Sequence, residues 1–200
     1  MPKIIILDFD HTLFNAQLFK KDLAEALGLS LAIWEKEYQK NKKKYHNYNY
    51  QKQITNYPAK NQKKFLNVLK NSKKYLYPDA IYFLHSVETR HGVSLPKIIL
   101  LSKGQPEFQK IKIKNCQLEK YLTIKTVAIA KINFIKTLRQ AQGKNKKNII
   151  FINDRGKEID EIKKIFPQIT AIWIRRANGQ YKNEPCKTFD KKYSNLKIKL

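Results

Sequence analysis

Four short aliphatic runs punctuate the 200-residue chain: Ile4-Ile5-Ile6-Leu7, Ile98-Ile99-Leu100-Leu101, Ile149-Ile150-Phe151-Ile152 and Ala171-Ile172-Trp173-Ile174, with a weaker run over 123–130. None alternates with polar residues. A strand wetted on one face shows a period of two, whereas unbroken runs of this length suit strands covered on both faces, as in a parallel sheet. Between the runs the period becomes helical. Ile132, Phe134, Ile135 and Leu138 form one apolar face, and Glu158, Ile159, Ile162 and Ile165 belong to a second helix that Pro167 stops. Strands alternating with helices predict an α/β doubly wound fold with a Rossmann-like, mostly parallel sheet.

Residues 15 to 75 break that rhythm. Leu18, Phe19, Leu23, Ala26 and Leu27 keep helical spacing until Gly28, and Ser30 is placed to cap a helix bearing Leu31, Trp34 and Tyr38. A third helical stretch contains Phe65, Leu66, Val68 and Leu69. With no strand-like run among them, these residues predict a helical insertion over 15–75, splitting a core made of 1–14 and 76–200. The core resumes at Pro78, which opens a helix with Ala80, Ile81, Leu84 and Val87 inward and Gly92 closing it.

The 42% hydrophobic content is enough for a sizeable core. No segment approaches the ~20 apolar residues needed to cross a bilayer, and the first residues lack a signal-peptide pattern, so an intracellular, cytoplasmic protein is expected. Cys116 and Cys186 lie far apart without metal-ligand spacing and are expected to be reduced thiols. Forty-one basic residues against 16 acidic ones leave a net charge of +25. Such a charge favours an anionic partner: a phosphate ester, a nucleotide, nucleic acid, or an acidic protein or membrane surface. Biased base composition in the coding DNA would also enrich lysine, asparagine, isoleucine and tyrosine together, so charge alone does not decide. Tyr38, Tyr45, Tyr48, Tyr50 and Tyr57, set among lysines, could stack the bases of single-stranded nucleic acid or cover an edge of the core.

In an open α/β sheet, ligands sit beyond the carboxyl ends of the strands. The polar residues placed there are Asp8, Asp10 and Thr12 after the first run, Ser102-Lys103-Gly104 after the second, Lys131 after the weaker one, and Asn153-Asp154 after the next, with Glu158 one helical turn on. Together they have the parts for phosphoryl transfer. One carboxylate can attack phosphorus to form an acyl phosphate, while Mg²⁺ held by oxygen ligands screens the repulsion between the two anions. A second carboxylate can protonate the leaving oxygen and then take a proton from water. In an extended segment Asp8 and Asp10 fall on the same side. Ser102 and the amides beside Gly104 can donate to phosphate oxygens, and Lys131 supplies a fixed positive charge.

The order DxDxT (Asp8, Asp10, Thr12), a strand ending in Ser102-Lys103-Gly104, the helix-starting Lys131 and the acidic pair Asp154 and Glu158 resembles the haloacid dehalogenase (HAD) superfamily of phosphohydrolases over the whole core. The insertion resembles that family's helical C1 cap. The resemblance implies Asp8 as nucleophile and Asp10 as acid/base. It implies Mg²⁺ held by the Asp8 side chain, the Asp10 carbonyl and Asp154, with Glu158 orienting a metal-bound water or Asp154, and phosphate held by Ser102 and Lys131. Thr12, Lys103 and Gly104 join the phosphate-binding set. The chain departs from the pattern in having Asn153 where the family usually has glycine. Asp160 competes with Glu158 for the second acidic position, and Lys110 competes with Lys131. The expected activity is a Mg²⁺-dependent phosphatase acting on a small phosphate monoester, such as a sugar phosphate or nucleotide. The alternative is a nucleic-acid-binding protein, or a nucleic-acid end phosphatase, that uses the Lys/Tyr-rich insertion. Dehalogenation is the weaker fit, because it needs no metal pair.

Overall fold

The computed structural model describes residues 4–88, 96–119, 121–127, 130–142 and 148–198. In chain order the elements are β1 (Ile4–Leu7), α1 (Ala16–Leu27), α2 (Leu31–Lys44), α3 (Tyr50–Ile54), α4 (Ala59–Lys70), a 3₁₀ turn at Ser72–Tyr75, α5 (Pro78–Glu88), β2 (Lys97–Lys103), α6 (Pro106–Asn115), β3 (Thr123–Val127), α7 (Lys131–Ala141), β4 (Ile149–Asn153), α8 (Gly156–Ile165), β5 (Thr170–Ile174) and β6 (Lys191–Tyr193). The six strands form one sheet in the order β3-β2-β1-β4-β5-β6, and every pairing is parallel.

The unalternated runs are buried on both faces, as their composition demands. Ile5 and Leu7 join an apolar cluster with Leu100, Ile152 and Ile174 on one side, while Ile4 and Ile6 join another with Ile99, Phe151, Ile159 and Ile162 on the other. Register sets the functional edge. Leu7 pairs with Leu100 on one side and Ile152 on the other. Asp8, Ser102 and Asn153-Asp154 therefore leave the sheet at the same carboxyl end.

The helical insertion leaves and returns at adjacent points. Phe14 bridges Leu76, the Asn15 amide donates to the Tyr75 carbonyl at 2.8 Å, and the Tyr77 amide donates to the Leu13 carbonyl at 2.9 Å. Gly28 ends α1 with φ 76°, a left-handed conformation that favours glycine, and the Ser30 side chain accepts from the Ile33 amide to cap α2. Several side chains depart from the expected faces. Leu18, Leu66, Ile81 and Ile165 are exposed, and Phe83 is buried in α5. Helix α3, the 3₁₀ turn and the lysine-rich edge strand β6 carry no aliphatic run and were not expected. Gly92 lies outside the described residues.

Tyr48 and Tyr50 are buried, Tyr38 packs on Trp34 and Tyr48, and the Tyr57 hydroxyl donates to Glu37, so of these tyrosines and Tyr45 only Tyr45 is exposed. Cys116 and Cys186 are both free thiols. Among the described residues no helix is long and apolar enough to cross a membrane.

Candidate active site

Immediately after β1 the chain makes a tight loop. The Phe9 carbonyl accepts from the Leu13 and Phe14 amides at 2.9 and 3.0 Å, and His11 takes φ 61° at the apex. Arg176, from the end of β5, fixes this loop. Its Nη2 donates to the Thr12 carbonyl at 2.7 Å, both terminal nitrogens donate to Asp79, and the guanidinium lies 3.6 Å from the centre of the Tyr77 ring. Planar, bidentate pairing of this kind fixes orientation as well as charge.

Between this edge and the insertion lies a cavity of about 510 Å³, within the range of ~300–1,000 Å³ usual for small-molecule sites. Asp8, Asp10, Ser102, Lys103, Gly104, Lys131, Asp154 and Glu158 all line it. Thr12 does not: it is fully buried beneath the loop, and its hydroxyl has no partner among the described residues. Lys110 lies outside as well, exposed and paired with Glu107 at 3.1 Å.

Lys131, the first residue of α7, is buried and bonds both Asp8 and Glu158, the latter at 2.9 Å. Burial is the largest influence on Asp8. It outweighs the attraction of Lys131 and raises the carboxyl to about 6, with Glu158 adding to the rise. Burial also pushes Asp154 well above the ordinary carboxylate range, the charge of Asp8 adds to this, and its Oδ2 has no hydrogen-bond partner among the described residues. For Glu158 burial acts in the same direction, but Lys131 and the Asn153 amide overcome it and hold the carboxyl below its usual range.

Asn153, the residue standing where the family usually has glycine, therefore has a visible task. Its Nδ2 donates to Glu158 Oε2 at 2.8 Å. Asp160 points away and organises the loop after β5, accepting from the Lys187 and Thr188 amides at 2.9 Å and from the Thr188 hydroxyl at 2.7 Å. Of the two rivals, Glu158 is the one at the cavity.

Asp10 is held by residues that sequence reasoning did not single out. Lys112 Nζ donates to Asp10 Oδ1 at 2.8 Å and Oδ2 at 3.1 Å, and Gln109 Nε2 donates to Oδ2 at 2.9 Å. Burial would raise Asp10, but Lys112 and then Gln109 outweigh it and keep the carboxyl below its ordinary range. The ammonium of Lys112 sits 5.2 to 5.7 Å from the ring centres of Phe9, Phe14, Phe19 and Phe108, an aromatic cage that offsets part of its desolvation. The spacing of Gln109 and Lys112, one turn apart on α6, was the only sequence signal, and in a chain with so many lysines it carries no contrast. Gly104 matters here too. At φ 155° it leaves no room for a Cβ, which would come within 2.8 Å of Gln109 Nε2.

The donor set suits a hard, oxygen-ligated cation. Asp8 and Asp154 are acids raised by burial, the charge of Asp8 raises Asp154 further, Asp154 Oδ2 is unpartnered among the described residues, and a divalent ion would favour the ionised form of both. Among the described residues no group of three acidic, histidine or cysteine side chains already converges at ligand spacing. A backbone carbonyl such as that of Asp10, with water, would have to complete the shell.

This architecture, a parallel sheet with a helical insertion after its first strand and acids at the carboxyl edge, is the fold of the HAD-like hydrolases. At 15% identity the chain superposes with a TM-score of 0.70 on a haloacid dehalogenase-like hydrolase from Burkholderia xenovorans, covering 98% of this chain and 93% of that one. The L-2-haloacid dehalogenase of Xanthobacter autotrophicus with chloropropionic acid covalently bound matches with a TM-score of 0.60 at 13% identity, over 98% and 96%. The HAD-hydrolase YfnB of Bacillus subtilis, bound to magnesium, matches with a TM-score of 0.61 at 9% identity, over 98% and 95%. No protein-family model and no curated protein matches the sequence.

Proposed function

We propose that the protein is a phosphohydrolase of HAD type that cleaves a small phosphate monoester through an aspartyl-phosphate intermediate. The observation that carries this reading is that Asp8, Asp10, Ser102, Lys131, Asp154 and Glu158, from four separate segments, line one cavity. In the first step Asp8 Oδ forms a bond to phosphorus as the bond to the leaving oxygen breaks, and Asp10 gives that oxygen its proton. In the second, water attacks phosphorus, Asp10 takes its proton, and the electron pair of the breaking P–O bond returns to the Asp8 carboxylate. Lys131 and Ser102 offer donors to the transferring phosphoryl oxygens. Mg²⁺, held by Asp8, Asp154 and the Asp10 carbonyl, would supply the positive charge that lets one anion approach another.

In the resting protein Asp10 is ionised against Lys112, so the proton for the leaving oxygen has to be taken up when substrate binds. Esters whose leaving oxygen needs little protonation are the natural first test. With an aryl phosphate and Mg²⁺, wild type should release phosphate and Asp8→Asn should not. Turnover retained by Asp8→Asn removes Asp8 as nucleophile.

The haloacid dehalogenases among the structural relatives favour a second reading, attack by Asp8 on a carbon–halogen bond. The acidic pair Asp154 and Glu158 at the cavity weighs against it, because attack on carbon has no need of acids placed to hold a metal. Chloride release from 2-chloropropionate, without phosphate release from any ester, would replace the first reading by the second. The net charge of +25 also suits a phosphate at the end of a nucleic-acid strand. With the insertion tyrosines mostly turned inward, that substrate would be held by charge, and its binding should weaken steeply with salt.

A further inference from the structure

The roof of the cavity holds recognition groups that hydrolysis of the phosphate itself does not use. Along α2, Trp34, Tyr38 and Lys42 recur at intervals of four and share the face that lines the cavity, with His46 and Tyr48 following. Trp34 and Tyr48 are 1% and 2% exposed, yet among the described residues neither the indole Nε1–H nor the phenol O–H has a hydrogen-bond partner. Both donor atoms are sealed from solvent, so the aromatic wall gives the cavity its shape and leaves charge recognition to its lysines.

Charge pairing on the same wall is equally selective. Asp8 and Glu158 are matched by Lys131, Asp10 by Lys112 and Glu35 by Lys20. Among the described residues two lysines that line the cavity have no acidic partner, Lys103 at the end of β2 and Lys42. Lys42 stands exposed on the insertion side of the cavity, whereas Ser102 and Lys131 lie on the sheet side. The ring faces offer less. Trp34 stacks on Tyr38, and Tyr48 packs edge-on against Phe108, so neither ring offers a free face.

From this arrangement we infer that the leaving group of the substrate carries a second anion, a carboxylate or a second phosphate, which Lys42 receives on the insertion side of the cavity. The inference rests on the phosphatase reading for the position of the ester phosphate. Neutral sugars and alcohols are the less favoured leaving groups, since they gain nothing from Lys42.

The test compares phenyl phosphate with 4-carboxyphenyl phosphate in the presence of Mg²⁺, a pair with the same ester linkage that differs by one carboxylate. Wild type should favour the carboxylated ester by about two- to fivefold in kcat/KM, expressed mainly in KM, as one exposed ion pair provides. Lys42→Met should bring the ratio toward one, and Lys42→Arg should keep it. Calorimetric binding of benzylphosphonate and 4-carboxybenzylphosphonate, which cannot be hydrolysed, gives a second measurement with the same expectation. Equal kcat/KM for the two esters in wild type, or a preference that survives Lys42→Met, overturns the inference while leaving phosphatase activity standing. If neither ester is hydrolysed the phosphatase reading fails, and the two phosphonates alone then decide: equal affinities, or a difference insensitive to Lys42→Met, overturn the inference.

Discussion

Replacing Lys112 by methionine tests how the buried Asp10–Lys112 pair is held. Methionine keeps most of the volume and the contacts with the four phenylalanine rings, but removes the charge and both hydrogen bonds to Asp10. Breaking a buried ion pair by removing one partner costs about 3–5 kcal/mol, mostly because the other charge is left uncompensated. The Lys112 side chain is 5% exposed but that of Asp10 is 28% exposed, and Gln109 stays in place, so the lower end applies: about 3 kcal/mol, or roughly 6–12 °C in Tm for a chain of this length. The sign with pH follows from the pair. Asp10 is held below its unfolded value of 3.8, so the stability it contributes is present above that pH and is lost as pH falls through the folded value. In Lys112→Met, burial is opposed far less and Asp10 protonates at higher pH. The deficit relative to wild type should therefore be largest near neutrality and shrink as the medium becomes mildly acidic. Urea unfolding at pH 7 and pH 4.5 measures both quantities, and Asp10→Asn in the Lys112→Met background should recover most of the loss. A deficit below about 1 kcal/mol at pH 7, or one of the same size at both pH values, refutes this account of the pair.

Three further outcomes are expected. In Gly156→Ala the new Cβ would overlap the Pro185 carbonyl oxygen and come within 2.9 Å of Cys186 Cβ. It should destabilise by about 1–3 kcal/mol and open the loop carrying Gln180 and Tyr181 to proteolysis, both readable by melting and limited digestion. Glu158→Gln should lower kcat at least about 100-fold, whereas Asp160→Asn should lower Tm with kcat within about twofold, since Asp160 holds the 187–188 loop and not the cavity. Because Asp8 must be ionised to attack and burial raises it to about 6, kcat/KM should climb with pH through that region at low Mg²⁺. Added Mg²⁺ should move the climb to lower pH, as a cation beside a carboxylate does.

How much of this was legible depended on contrast. Ile4 to Leu7 and Ile149 to Ile152 declared a two-faced sheet because nothing polar interrupts them, and Asp8, Ser102 and Asp154 were legible because they follow such runs directly. β6 was not legible: its Lys-Lys-Tyr looks like any other lysine-rich stretch, and it pairs only at the sheet edge beside β5. Helix α3 has only five residues and too few apolar positions to show a period. Lys112 and Gln109 stayed hidden for a different reason. Their partner Asp10 is about a hundred positions away in the chain, and only the packing of α6 beneath the insertion brings them together. The choice between Glu158 and Asp160 likewise turned on which way one helix faces, which two acids two residues apart do not reveal.

The insertion starts and finishes on neighbouring backbone rungs, at Phe14 and Leu76. A segment tethered that way takes up no more of the sheet's edge than a hairpin turn would, and what ties it to the sheet beyond the tethers is the apolar cluster that Phe19, Trp34 and Phe65 share with Leu7 and Leu100. A different roof could be spliced onto the same carboxylates, provided that its underside brought apolar groups to meet Phe108 as Phe19, Tyr48 and Tyr50 do here.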